Sequence, residues 1–139
     1  MALAIDIADA VAAELATGTF SQPIAPRRLI LPYFELADLK ELRVSVVPKA
    51  IEASNSSRCL TQFDVQIDIG IQRRLSGDVE TDVPVLLALV EEIAEFLRNR
   101  PIAGAAWIAT ANEPLYAPDH LAEQRVFTSV LTLTYRVLR

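Results

Sequence analysis

The strict alternation of apolar and polar residues from Thr61 to Leu75 constrains the fold more than any other feature of the sequence. Successive side chains of a strand point to opposite faces, so one face of this strand is packed and the other is wet. This pattern is typical of an antiparallel sheet rather than of a parallel sheet buried on both faces. A glycine within the run, Gly70, is typical of a β-bulge. The apolar positions are Phe63, Val65, Ile67, Ile69 and Ile71, and the others are Gln62, Asp64, Gln66, Asp68, Gly70 and Gln72.

Four other segments have the residue pattern of extended chain. The first lies between prolines and is read as an edge strand or an extended arm, because proline is tolerated at sheet edges. The second is expected to end at Pro48. The last is the longest, and its apolar residues from Phe127 to Val137 share one face with Ser129. The segments run from Arg27 to Leu31, Leu42 to Val47, Ala105 to Asn112 around Trp107, and Arg125 to Leu138.

Two amphipathic helices flank the central strands. Apolar residues at spacings of three and four predict a helix from Leu3 to Ala16, ended by Gly18. The same periodicity predicts a longer helix from Val83 to about Asn99, with Asp82 as its N-cap. A short helical turn capped by Asp119 is expected to reach Gln124.

This order of elements, α-β-β-β-α-β-β, predicts an α+β fold. We expect a mainly antiparallel sheet of four to five strands with both helices packed on one face. The chain has 139 residues, the size of one domain, so residues 1–139 are expected to fold as a single domain.

The composition excludes several kinds of chemistry. With one Cys, one His and four Gly, the chain offers no Cys/His zinc site, no internal disulfide and no Gly-rich phosphate loop. His120 is therefore interpreted as a surface or capping residue, and Cys59 as an ordinary thiol with no motif that supplies a base. We predict no catalytic, cofactor-binding or metal-binding residues, and hence no enzyme.

The charge of the chain bears on its partners. The net charge of −5 argues against specific nucleic-acid binding, which needs clustered Lys and Arg to neutralise phosphates. No run approaches the roughly 18 apolar residues of a membrane span, and the N-terminus lacks the pattern of a signal peptide. We expect a protein that is made in a cytoplasm and does not insert in a membrane.

The polar face of the long strand carries two carboxylates, Asp64 and Asp68, with Gln66 between them. At about 3.3 Å per residue these carboxylates lie roughly 13 Å apart, too far for a pair that shares a proton. A solvated sheet face is the favoured interpretation. The alternative is that the same residues line an acidic lumen in a ring of copies.

Two groups of residues are candidates for contacts between proteins. A lateral apolar stripe on the second helix (Val85, Leu89, Phe96), together with Trp107, has the side chains that occupy the centres of interfaces, although core packing is the alternative. The pair Arg73 and Arg74 follows the long strand and is a candidate for charge contacts with an acidic face of another copy.

Three stretches of the C-terminal half resemble a known family. The acidic helix containing VEEIAEFLRNR, the loop AAWIATANEPLYAPDHL and the closing strand FTSVLTLTYRVLR are similar to those of tail terminator proteins. These are small tail-completion (neck) proteins of long-tailed bacteriophages and prophages, and the resemblance runs from about Ile5 to Leu138.

The resemblance implies a non-enzymatic structural protein with an α+β fold. Copies would form a ring, commonly a hexamer, that caps the tail tube and binds the head-tail connector protein. Its partners would be itself, the tail tube protein and that connector, first in the cytoplasm of the bacterial host and then in the virion. The alternative function is a small cytoplasmic α+β module that binds a partner protein or a small ligand.

Overall fold

Residues 2–30, 41–75, 77–113 and 115–139 are described by a computed structural model, which contains one sheet and two long helices. In chain order the elements are α1 (Leu3–Ala16), β1 (Pro26–Arg28), β2 (Arg43–Asn55), β3 (Thr61–Arg74), α2 (Val79–Leu97), β4 (Ala106–Ala111), a π-helical turn (His120–Gln124) and β5 (Val126–Leu138). This order confirms the predicted α+β fold.

The sheet has five strands in the order β1-β2-β3-β5-β4. Its three longest strands, β2, β3 and β5, are antiparallel neighbours, and β4 adds antiparallel to β5. The short β1 pairs parallel with β2, so the sheet is mixed rather than wholly antiparallel. The proline-rich segment runs from Gln22 to Phe34, and its residues Pro26–Arg28 form the edge strand β1. The part of this segment from residue 31 onward lies outside the described residues.

The core lies between one face of the sheet and the two helices. The alternating apolar residues of β3 are buried together with Ile7 and Val11 of α1 and with Leu86 and Ile93 of α2. Helix α1 lies over β1, β2 and β3, whereas α2 contacts β5. Both helices therefore cover the same face, as the alternation in β3 and β5 requires.

Pro48 does not end the second strand, because β2 continues to Asn55. Proline cannot donate to a sheet ladder and is tolerated only where a strand lies at an edge. The register of β1 reaches Val46, so Pro48 lies where β2 has become the edge of the described sheet. A register shift between Pro48 and Ala50 accommodates the missing donor.

Gly70 does not form the predicted bulge, since it pairs in regular register with Ser45 of β2 and Val130 of β5. A Cβ atom at Gly70 would lie 2.8 Å from Ser45 Oγ, closer than atoms pack. The glycine therefore permits the close approach of a neighbouring side chain.

Helix α2 begins at Val79, one turn before the predicted start. Asp78 is the N-cap, and its side chain accepts a hydrogen bond from the Glu80 N–H at 3.3 Å. Asp82 instead accepts a hydrogen bond from the Gly77 N–H at 2.9 Å. The additional turn brings Val79 against the core. Asp119 also differs from prediction, because its side chain makes no capping hydrogen bond to the described π-helical turn.

Candidate assembly interface

The face of the sheet opposite the helices is polar and carries paired charges. Arg136 donates from Nε to Asp64 Oδ1 at 2.9 Å, and this hydrogen bond holds the pKa of the Asp64 carboxyl below its ordinary value. Asp68 accepts a hydrogen bond from Thr132 at 2.7 Å and lies 3.9 Å from Lys49 Nζ. Gln66 lies between the two carboxylates, half-buried. The two predicted carboxylates are therefore neutralised by residues of the neighbouring strands.

The described strand residues on this face carry both signs of charge, so a lumen lined by this face would not be uniformly acidic. Residues paired in register project from the same face of a sheet. The face of Asp64 and Asp68 thus carries one further carboxylate and several cations, which are Glu52, Arg27, Arg43, Arg74, Arg136 and, through its contact with Asp68, Lys49. Sequence reasoning missed this because the cations come from four different strands.

A cleft of about 570 Å³ separates α2 from β4. Helix α2 lies over β5, so β4 at the edge of the sheet is left partly uncovered. Apolar side chains form the walls, with Val90 and Ala94 on the helix and Trp107 and Ile108 on the strand, and Glu91 and Glu95 are charged groups in its lining. The Trp107 indole N–H donates to Thr110 Oγ1 at 2.9 Å, which fixes the ring.

Two strand edges lack a partner among the described residues. Strand β4 pairs only with β5, on its inner side. Strand β2 pairs with β1 only over three residues, so its outer side from Lys49 to Asn55 has no described neighbour. All residues from 49 to 60, including the connection to β3, are exposed.

Each of these edges, which have no partner among the described residues, carries an exposed isoleucine. The fractional exposure is 49% for Ile51 on β2 and 37% for Ile108 on β4. Exposed edges in monomeric proteins are usually protected by charged residues, because an apolar edge favours association. Neither isoleucine belongs to a regular alternating pattern in the sequence, so patterning alone does not mark them as contact residues.

Comparison with known proteins finds solved structures with a similar fold. No family model matches the chain, and no curated protein matches it. A chain in a solved structure described as the virion of a native gene transfer agent particle has a similar fold. The similarity covers 93% of this chain and 84% of that chain, with a TM-score of 0.54 and 13% sequence identity. At this identity the likeness establishes a shared fold.

The predicted apolar stripe on α2 is not a continuous surface. Leu89 is completely buried in the core, which corresponds to the alternative of core packing. Val85 is 52% exposed. Phe96 packs edge-on against Phe20, with the ring centroids 5.3 Å apart, and Arg100 lies 4.0 Å above its ring. The apolar face of α2 is wide because Leu89 is part of the core, whereas Val85 lies on the exposed side of the helix.

The other predicted contact residues are separated in the structure. Trp107 is half-buried and forms part of the cleft. Arg73 donates to Gln22 Oε1 at 3.3 Å and is engaged within the subunit. Arg74 is exposed at the end of β3, on the polar face of the sheet. Trp107 therefore lies apart from the two arginines, whereas Arg73 and Val85 line the same small pocket.

The single histidine and the single cysteine lie in different parts of the structure. His120 Nδ1 lies 2.9 Å from Thr128 Oγ1, beside β5. Cys59 is exposed in the connection between β2 and β3. Among the described residues, no three His, Cys, Asp or Glu side chains come together as a possible set of metal ligands. The helices in the described part of the chain include none that is long and apolar enough to span a membrane.

Proposed function

We propose that the protein is a structural, non-enzymatic component of a phage-like particle, and specifically a tail terminator or neck protein. The observation that carries the proposal is the fold shared, over most of both chains, with a chain in a gene transfer agent virion. The similarity of the C-terminal half to tail terminator proteins supports the same function. In this role, copies form a ring, commonly a hexamer in such proteins, at the head-proximal end of the tail tube.

The distribution of surfaces is compatible with a ring. A sheet with helices on one face only can present its polar face to a lumen and its helices to the outside. On the polar face, ion pairs such as Asp64 with Arg136 leave carboxylates and cations mixed rather than one sign alone. Such a wall allows DNA to pass without a continuous binding track.

The proposed ring ends polymerisation of the tail tube and offers a new surface to the head-tail connector. Its partners are therefore other copies of itself, the tail tube protein and the connector protein. Assembly takes place in the cytoplasm of the bacterial host, after which the ring is part of the virion tail.

A second candidate function is a small binding module, and the cleft between α2 and β4 favours it. A volume of about 570 Å³ lies within the range of small-molecule sites, roughly 300–1,000 Å³. The apolar walls suit a mostly apolar ligand or a peptide side chain. The charged groups of the lining are Glu91, Glu95 and Arg98, and the last two form an ion pair at 3.0 Å. This function predicts a monomer or dimer of fixed size that binds its ligand without assembling.

Capping of tail tubes tests the proposed function. The cognate tail tube protein is polymerised with and without this protein, and tube lengths and ends are measured by electron microscopy. A terminator shortens the tubes and is found at one end only. Unchanged lengths, or protein bound along the sides of the tubes, would contradict the proposal and favour the binding module.

A further inference from the structure

We propose that copies of this chain join edge to edge, with the outer edge of β2 in one copy pairing antiparallel with β4 of the next copy. In this contact Ile51 of β2 enters the cleft between α2 and β4 of the neighbour. The inference rests on the proposed function in one respect, namely that the copies form a closed ring. The contact itself is inferred from the two strand edges that have no partner within the described part of the chain.

The two edges lie at the same level of the sheet. On the inner side of β2, residues 50–55 pair with β3 from Gln66 to Thr61. On the other side of the sheet, β4 pairs with residues 132–136 of β5, which pair with β3 from Asp68 to Asp64. Along the strand direction, both edges thus lie level with residues Asp64 to Gln66 of β3. Copies placed side by side bring these edges together without a large displacement along the strands.

The directions of the strands also match. Strand β2 is antiparallel to β3, β3 to β5, and β5 to β4, so β2 and β4 run in opposite directions. Rotation about an axis near the strand direction leaves the direction of every strand unchanged. In a ring of this kind, β2 of one copy therefore meets β4 of the next as an antiparallel pair, which is the commoner and more stable pairing.

The side chains give the contact its specificity. Ile51 pairs in register with Val65, whose side chain is in the core, so Ile51 projects from the helix-covered face. Trp107 pairs with the core residue Tyr135 and projects from that same face. A β2 strand added beside β4 thus brings Ile51 to the cleft that Trp107 and Ile108 border. This is strand addition, in which backbone hydrogen bonds provide affinity and a side-chain pocket provides selectivity.

The contact is head-to-tail because it joins two different edges. Such an interface repeats from copy to copy and closes into a ring where the rotation permits. The sheets then form one continuous wall with the polar face inside and the helices outside. Closure of a sheet requires a stagger between strands, so the exact register across the joint follows from the number of copies.

Crosslinking between two introduced cysteines tests the contact. In a full-length Cys59→Ser background, Ile51→Cys and Ile108→Cys are combined and treated with a short bismaleimide, whose reach tolerates a stagger of the strands. The expected result is a ladder of covalent multimers that ends at the size of the ring. The single variants Ile51→Cys and Ile108→Cys carry one cysteine each and should give no ladder.

Two outcomes would overturn the contact. The first is the absence of covalent multimers from the double variant at every protein concentration. The second is equally efficient dimers from Ile51→Cys alone, which would show that β2 pairs with β2 of another copy. Retained folding is checked by circular dichroism, and both isoleucines are exposed in the subunit, so their substitution leaves the core intact.

A charge variant gives an independent readout. Ile51→Asp should abolish multimers in light scattering, whereas Val85→Asp, at a similarly exposed position on α2, should retain them. Loss of assembly by Val85→Asp and not by Ile51→Asp would overturn the edge contact and place the interface on α2.

The tube-capping experiment separates this inference from the proposed function. Capping of tubes by a protein that gives no crosslinked ladder contradicts the edge contact and leaves the terminator function in place. A ladder from a protein that does not cap tubes contradicts the terminator function and supports the edge contact.

Discussion

At the residue scale, the hydroxyl of Tyr135 is the clearest departure from a well-satisfied core. The side chain is completely buried, and its Oη has no hydrogen-bond partner among the described residues. Burial, and to a smaller extent the Glu14 carboxylate, raises the pKa of this hydroxyl. A buried polar group without a partner costs about 1–3 kcal/mol relative to its hydrated state.

We therefore expect Tyr135→Phe to stabilise the subunit by about 1 kcal/mol, because it removes the hydroxyl and keeps the ring. Urea unfolding followed by circular dichroism measures the change. The control is Tyr135→Leu, which should lower the free energy of unfolding because it leaves a cavity. A Tyr135→Phe variant less stable than the parent would show that the hydroxyl is satisfied in solution.

The pair of Asp64 and Arg136 gives the protein a predictable response to acid. Since the folded-state pKa of Asp64 is lowered below 3.8, its contribution to stability is present above that value and is lost as the pH falls through the folded-state pKa. Arg136→Gln removes the hydrogen-bonding cation. We expect this variant to melt below the parent at neutral pH.

The difference in melting temperature between parent and Arg136→Gln should shrink as the pH falls below 3.8, where Asp64 becomes protonated in both proteins. Thermal unfolding across a series of pH values measures it. As a matched control, Arg74→Gln removes an exposed arginine of the same sheet face and should not show this narrowing. A difference that is independent of pH would contradict the assignment of the pair.

At the element scale, the close approach of β2 and β3 at Gly70 is a strong constraint on the sheet. A methyl group at this position would lie 2.8 Å from Ser45 Oγ, and both residues are buried. We expect Gly70→Ala to lower the free energy of unfolding by about 1–3 kcal/mol through overpacking. Denaturant unfolding measures the loss.

A double-mutant cycle shows whether Ser45 causes that loss. In the Ser45→Ala background the clashing oxygen is absent, so Gly70→Ala should cost less than it does in the parent. Equal costs in the two backgrounds would show that the strain lies elsewhere in the strand.

The two sides of α2 should respond differently to truncation. Leu89 is completely buried, so Leu89→Ala should destabilise the subunit by about 2–5 kcal/mol. Val85→Ala, on the exposed side, should change stability by less than about 0.5 kcal/mol. Urea unfolding of both variants under conditions where the protein is monomeric measures the contrast. Similar losses for the two would contradict the placement of Val85 on the surface.

Elements with a regular residue pattern could be predicted from the sequence, and their partners could not. The bounds of α1 agree with the prediction, and β3 and β5 follow their alternation, because one wet and one packed face leave a periodic signal. The predicted start of α2 differs from the structure because Asp78 and Asp82 are both suitable N-cap residues. Only the packing of Val79 against the core decides between them.

Only part of the candidate interface could be predicted from the sequence, because contacts between distant strands leave no local residue pattern. Trp107 could be selected by its chemistry, but the free edges of β2 and β4 follow from the order of the strands. The pairing of Asp64 with Arg136 joins residues 72 positions apart and leaves no local pattern. The sequence leaves Leu89 open between core and interface, because a broad apolar helix has the same pattern whether the extra side chains face the core or a partner.

At the scale of the whole molecule, one sheet combines an apolar cleft with two strand edges that lack a described partner, and the proposed ring joins these features. The helices cover one face only, and the opposite face carries paired charges, so a closed arrangement has a distinct inside and outside. The central claim is therefore that this chain associates head to tail into a closed assembly.

Molar mass by light scattering over a wide range of protein concentrations tests that claim most directly. We expect one discrete assembly with the mass of about six subunits. The fraction of protein in this assembly should rise with concentration as the monomer fraction falls, and no larger species should form. A monomer or a dimer at every concentration would contradict the account and would favour the small binding module.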